Sequence, residues 1–361
     1  MLTVDSHLDL AANAVYWDRD LTLELGELRA REAGMTGKGR GNGTVSLPEM
    51  RRGRVALASG TLLARTGSSP STGLPAHSSD TIAYGVAHGQ LAYYRVLEDL
   101  GEIRIVRTQA DLDAHWREWE RWDAAPAGEP PAPGLIISME GADAVVTPDQ
   151  IPEWWDGGLR ILSLAHYQES AYAHGTGSEG GLKPPARELL SSMREVGMIL
   201  DVTHLADQSF WEALDLWDGP LIASHNNCRA LVPGQRQFSD EQIEAIVQRG
   251  GVIGCALDAW MLYPGWVRGE TSPDVVGLDA YVDHIAHICE LTGNPAHAAI
   301  GSDLDGGFGN EQTPRDLRSI ADLQKVPEML RERGFSADDV AAVMHGNWIG
   351  VFGRHLPASL R

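Results

Sequence analysis

Eight short apolar runs, rich in Val, Ile and Leu and mostly followed by segments of helical character, recur along the 361 residues. Parallel strands need a long crossover between them, so this alternation predicts a parallel sheet covered by helices rather than a set of hairpins. The runs fall at 2–5, 55–64, 134–140, 160–166, 198–204, 220–226, 252–257 and 298–303. Eight such units close a TIM-type (β/α)8 barrel, and chains of this length fold as one such unit. The expectation is a single α/β barrel domain over residues 1–361, without an internal repeat.

Local signals agree with that frame. In SDEQIEAIVQRG, Ser239 stands three residues before Gln242 as in a capping box, and Gly250 supplies a stop. Residues 79–100 form a long amphipathic stretch. The Gly-rich segment 34–43 lacks G-x-x-x-x-G-K-[ST] spacing and follows no strand, so a mobile loop rather than a phosphate cradle is expected there.

Charge excludes whole classes of partner. With 29 Lys plus Arg against 50 Asp plus Glu, the formal net charge of −21 repels phosphate backbones and anionic headgroups, so neither nucleic acid nor membrane is expected. Cys228, Cys255 and Cys289 form no C-x-x-C pair and read as reduced structural thiols. The start MLTVDSHLDL has no basic segment with a long apolar run behind it, and HLPASLR ends without an apolar tail. A cytoplasmic, unanchored protein is expected.

The chemistry is concentrated where a barrel would use it. Active sites of such barrels are assembled at the C-terminal ends of the strands, and His7, Asp9, Glu140, His166, His204, His225 and Asp303 all stand at or next to the ends of the runs. His7 and Asp9 are two apart, which points both into the barrel as ligands of one divalent ion. Glu140 closes GLIISME, a run so apolar that an unneutralised carboxylate there is costly, and a bridge between two metals neutralises it. A modified lysine could also bridge, but none of Lys38, Lys183 and Lys325 ends a run. His204 and His225 end adjacent runs and offer two neutral imidazoles to a second ion, which suits zinc. His166, one run earlier, is either a third ligand or an electrophile facing a substrate carbonyl, and the second role is preferred. Asp303 and Asp305 in GSDLDGG both have the spacing to face inward, and one of them is a candidate proton shuttle. For Asp305 a structural role is the stronger reading. His284 and His287, three apart between the last two runs, are expected on a packing face outside the barrel.

At these residues the chain resembles the membrane dipeptidase (renal dipeptidase) family of the amidohydrolase superfamily, through H-x-D at His7 and Asp9, the run-ending Glu140, LSLAH, LDVTH, ASHN and GSDLDG. The resemblance spans nearly the whole chain. It implies two zinc ions per chain, with His7 and Asp9 on one, His204 and His225 on the other and Glu140 bridging. It also implies His166 at the substrate carbonyl, Asp303 as the catalytic acid, and Arg236 in RQFSDEQ as a contact to the substrate carboxylate. The implied reaction is attack of a metal-bridging hydroxide on the amide bond of a dipeptide or dipeptide-like small molecule. An amidohydrolase acting on N-acyl amino acids, lactams or lactones would use the same metals, and a catalytically idle barrel kept as a binding protein is the alternative of another class. A homodimer is compatible with the resemblance. ASHNNCRAL and HYQESAYAHG depart from the family's usual sequences after the sixth- and fourth-run histidines, which bears on substrate choice.

Overall fold

The computed structural model describes residues 1–67 and 74–360. All eight expected runs contain strands: β1 (Thr3–Leu8), β2 (Val55–Leu62), β3 (Gly134–Met139), β4 (Leu159–Ser163), β5 (Ile199–Asp201), β6 (Leu221–Ile222), β7 (Ile253–Cys255) and β8 (Ala298–Ile300). The first six form a curled parallel sheet in sequence order, and β7 pairs with β8, also in parallel. A single parallel bridge from Ala223 to Ile253 leads from the first group to the second. The strands are buried throughout, as a parallel sheet with both faces covered requires.

Between β8 and β1 the connection is made by side chains. The Asp5 carboxylate accepts from Ser302 N at 2.9 Å and Ser302 Oγ at 2.5 Å. Ser6 Oγ donates to the carbonyl of Ile300 at 3.1 Å and also to that of Ser224. The two serines are 218 residues apart, so this hydroxyl ties the first strand to the end of β6.

Two packed layers hold the sheet. Val4, Ile136, Ile161, Ile199, Ile222, Val252 and Ala299 form one cluster with Trp348, Val351 and Phe352 of the helix Asn347–His355. Trp348 Nε1 donates to the Ile300 carbonyl at 2.9 Å, which fixes that helix to β8. Outside, the amphipathic stretch forms the helix Asp80–Asp99, which buries Ala83, Ala87, Leu91 and Tyr94 against the sheet. The Ser239–Gln242 capping box starts the helix Asp240–Gln248, and Gly250 follows it with φ of 72°. His284, in the helix Leu278–Thr292, is buried and accepts from Cys228 N, while His287 bonds to Asp240, both away from the cavity. The Gly-rich segment is pinned rather than loose: Arg19 donates to the Gly39 carbonyl, and Glu311 accepts from Gly39 N. The three cysteines are buried and free. Among the described residues no helix is long and apolar enough to cross a membrane.

The strands differ from expectation at their ends. β1 extends three residues beyond the run at 2–5 and carries His7 within the strand. β5 stops at Asp201 and β6 at Ile222, so His204 and His225 lie three residues beyond, on turns. The cause is local. His204 and Asp303 adopt positive φ of 68° and 57°, which cannot continue a ladder, and the Asp201 carboxylate accepts from Thr203 N and Ser224 N in place of ladder bonds.

Gly254 and Gly301 make a close interior contact possible. A Cβ at Gly301 would drive into the Ser224 carbonyl oxygen and crowd Gly254 Cα. Gly301→Ala is therefore expected to cost about 3 kcal/mol or more. Gly85→Ala, in an exposed helical position with open space around it, should stabilise by up to about 1 kcal/mol. Urea unfolding of both variants checks the pair, and equal effects would contradict the packing argument.

Candidate metal centre

Strand β1, which carries His7, and the turns that follow the strands bring all seven expected residues to one cavity region. His7 Nε2 lies 3.8 Å from Asp9 Oδ1, 3.7 Å from Glu140 Oε1 and 3.9 Å from Asp303 Oδ1. His204 Nε2 and His225 Nε2 are each 3.2 Å from Glu140 Oε1 and 3.1 Å from each other. His166 Nε2 stands 3.7 Å from the other Glu140 oxygen, Oε2. The side chains are buried, with Asp303 the most open at 14%. The cavity wall continues through Leu74, Tyr167, Arg236, Asp258, Trp260 and Met261.

Hydroxyl groups behind the imidazoles set which nitrogen faces the cavity. Ser224 Oγ donates to Asp201 Oδ2 at 2.5 Å, which leaves its lone pair to accept from His225 Nδ1–H at 2.9 Å. Thr176 Oγ1 lies 3.3 Å from the His204 carbonyl and 2.8 Å from His204 Nδ1, so it can donate to the first and accept from the second. With the protons on Nδ1, both Nε2 atoms present lone pairs. The result is an acceptor-only cluster in which Glu140 Oε1 and the two Nε2 atoms face one another without a donor between them. The site lies against buried, partly strained backbone, since His204 and Asp303 hold left-handed conformations rare for non-glycine residues.

This arrangement fits divalent metal. Ligands about 2.0 Å from a tetrahedral ion stand about 3.3 Å from one another, close to the edges of the Glu140–His204–His225 triangle. His7 Nε2 and Asp9 Oδ1 are buried with no hydrogen-bond partner, as atoms reserved for an ion would be. Three groups of donors are close enough to hold an ion: His7, Glu140 and His225; Glu140, His166 and His204; and His7, Asp9 and Asp303. Glu140 belongs to two of them, as a bridge would. Its two oxygens are not shared out evenly, because Oε1 faces His7, His204 and His225 while Oε2 faces His166. His166 therefore retains both of its expected roles.

Electrostatics without a metal are unfavourable in a consistent direction. Burial, and then the Asp9 and Asp303 carboxylates, hold the Glu140 carboxyl well above the usual range. Burial raises Asp9 to about 7, and burial with the neighbouring Asp9 and Asp258 raises Asp303. Burial and then the Arg236 guanidinium push His7 down to about 3 and His204 well below its ordinary value.

Arg236 is buried beside this cluster. Its Nη2 donates to the His225 carbonyl at 2.9 Å and its Nη1 to Asn226 Oδ1. Asp305 faces away: its carboxylate accepts from Thr44 N, Thr44 Oγ1 and Val45 N and pairs with Arg19, so it tethers the segment after the Gly-rich loop. Sequence reasoning missed Thr176, Asp201, Ser224, Asn226 and Asp258. Asp201, an acid inside the apolar run of β5, carried the same burial signal as Glu140. Asp258, an acid directly after the run at 252–257, carried a strand-end signal like that of Asp303; Thr176, Ser224 and Asn226 carried none, because a hydroxyl or amide in a turn has no periodicity.

Comparison with known proteins gives the family and the fold. The sequence model of the membrane dipeptidase family, peptidase family M19, matches residues 1–356. The dipeptidase tcpJ of Claviceps purpurea is 29% identical over 201 residues, covering 54% of this chain and 44% of that protein. The dipeptidase aclJ of Aspergillus oryzae is 27% identical over 242 residues, covering 63% and 54%. The chain thus spans about half the length of the curated relatives it matches. Among solved structures, a metallopeptidase of family M19 termed dipeptidase AC superposes with a TM-score of 0.79 at 22% identity over 99% of both chains. A metallopeptidase of Rhodobacter sphaeroides, bound to a phosphinate mimic of the dipeptide L-Ala-D-Ala, gives a TM-score of 0.78 at 23% identity, covering 98% of this chain and 99% of that one. These two likenesses establish a shared fold.

The pH dependence of the metal-free protein follows from the shifted carboxyls. Asp9 ionises near 3.8 in the unfolded chain but near 7 when folded. The folded chain therefore holds the extra proton in between, and stability falls as pH rises through 7. Glu140 and Asp303 extend the fall upward. The imidazoles act in the opposite sense only below their unfolded value of 6.5. Chelator-treated protein is expected to lose thermal stability between about pH 6.5 and about pH 8, and added zinc should reverse the loss by taking the charge. Differential scanning calorimetry with and without zinc is the check, and a flat metal-free profile would contradict it.

Proposed function

Because the chain belongs to the membrane dipeptidase family, peptidase family M19, we propose that it is a zinc-dependent dipeptidase built as one (β/α)8 domain over residues 1–361. The observation that carries this reading is the buried acceptor-only cluster of Glu140, His204 and His225, with the unpartnered His7 Nε2 and Asp9 Oδ1 beside it. His7 and Asp9 would hold one ion, His204 and His225 the other, with Glu140 shared. A pair of such ions supplies Lewis acidity toward an amide carbonyl and a nucleophile of hydroxide strength near neutral pH.

The chain's own residues would do the rest. Arg236, oriented by Asn226 and the His225 carbonyl, offers a charge-assisted contact to the free carboxylate of a dipeptide. His166 lies on the Glu140 Oε2 side of the cluster, where its imidazole could steady the carbonyl oxygen. The Asp303 carboxylate, raised in pKa and 3.9 Å from His7 Nε2, is suited to take a proton at Oδ1 and deliver it to the departing amine. The phosphinate mimic of L-Ala-D-Ala held by the Rhodobacter sphaeroides neighbour supports a substrate of dipeptide size.

A three-substrate comparison tests the assignment. Zinc-loaded protein should release free amino acids from an unblocked dipeptide, work poorly on its C-terminal amide and on N-acetyl amino acids, and stop in chelator. Arg236→Met should raise KM for the unblocked dipeptide about 10- to 100-fold and change the amide little, since a ground-state ion pair is lost. Preference for the N-acetyl amino acids would move the assignment to an acylase. Release from no substrate at full metal loading would overturn it.

Asp303→Asn separates binding from chemistry. It keeps size and shape but cannot carry the proton, so kcat is expected to fall about 10²- to 10⁴-fold. Zinc content by elemental analysis should stay at the wild-type value. Turnover close to wild type would place the shuttle elsewhere.

A further inference from the structure

One acid on the cavity wall is used neither by the metal cluster nor by the proton shuttle. Asp258 is 5% exposed and lines the same cavity as Glu140, His204 and Asp303. Its bonds fall on one oxygen: Oδ1 accepts from Gln312 Nε2 at 2.6 Å and from Trp260 N at 3.4 Å. Among the described residues Oδ2 has no hydrogen-bond partner, and no cationic side chain is in ion-pair contact with the carboxylate.

Capping the short turn Ala259–Met261 does not require a charge, because Asn or Ser accepts from the same backbone N–H. Oδ2 opens onto the cavity, so the charge of this largely buried carboxylate is left to be met by what enters there. The nearby cations do not meet it. Burial raises the Asp258 carboxyl above its ordinary range, and Lys38, the Gln312 hydrogen bond and Arg268 offset this only in part; Arg268 lies over the Trp260 ring at 5.0 Å and bonds to Tyr167, and Lys38 lies over the Phe308 ring at 5.9 Å. Asp303 faces the same space and adds negative potential. Trp260, Tyr167 and Met261 surround it with aromatic and apolar surface suited to an alkyl stem. One open oxygen is too few ligands for a further metal ion.

We propose that Asp258 is a specificity-determining residue that receives a primary ammonium group of the substrate on Oδ2. The ammonium is either the free α-ammonium of the N-terminal residue or the side-chain ammonium of a basic residue. The proposal rests on the dipeptidase reading and narrows it to substrates that carry such a cation toward the Asp258 side of the cavity.

Three matched substrates separate the two sources: Lys-Ala, norleucyl-Ala with the same stem but no side-chain ammonium, and N-acetyl-norleucyl-Ala with neither. Each is assayed with zinc-loaded wild type and Asp258→Asn, which preserves the turn cap. If the side chain is read, the variant loses about 10-fold or more in kcat/KM on Lys-Ala only, chiefly through KM. If the α-ammonium is read, Lys-Ala and norleucyl-Ala fall together and the acetylated peptide does not. Equal losses on all three, or none, would overturn the proposal and leave Asp258 as a cap. Calorimetric binding of the same peptides to both proteins reads the proposal independently of turnover. Turnover of no peptide by wild type, with Lys-Ala binding still weakened by Asp258→Asn, would sink the dipeptidase reading and spare the ammonium site.

Discussion

The centre depends on repulsion that the fold alone does not relieve. Glu140 Oε1 and the Nε2 atoms of His204 and His225 stand 3.1 to 3.2 Å apart in a buried cavity with no donor among them. Lone pairs at that spacing are stable only around a positive charge. Protonation of Glu140 relieves part of the conflict, in keeping with its raised pKa, and so does bound metal. The same charge would neutralise the carboxylates of Asp9 and Asp303 and use the neutral imidazoles.

Holding those atoms in place requires rigid supports, and the fold supplies them in layers. The parallel strands deliver each ligand to one end of the sheet. Behind them Asp201, Ser224 and Thr176 assign the imidazole protons, and such partners orient ligands and tune their basicity. Ser224 serves several neighbours at once: its hydroxyl meets His225 and Asp201 and lies 3.4 Å from His7 Nδ1, while its carbonyl receives Ser6. Glycines at 254 and 301 leave the space in which these groups meet.

Two neighbouring acids show how position divides roles. Asp303 and Asp305 share a motif and both have positive φ, yet Asp303 faces the cavity and Asp305 is saturated by Thr44, Val45 and Arg19. Glu140 and Asp201 are another such pair. Both are buried acids at strand ends, but Asp201 is fully engaged by Ser224 and Thr203 and is available only to position others.

The sequence by itself determined the order of the eight main strands, two of the helices that cover them, and the identity of the seven groups gathered at the cavity. These follow from local pattern: apolar runs, capping pairs, and polar residues of one chemical type recurring at the ends of runs. Only the tertiary structure decided where strands give way to turns at His204 and His225, which Glu140 oxygen meets which imidazole, that Asp305 is a tether, and that Asp258 joins the wall. Those facts depend on contacts between residues far apart in the chain, such as Ser6 with Ser224 or Thr44 with Asp305. Sequence periodicity records which face of a strand is buried, but not which turn it meets across the sheet.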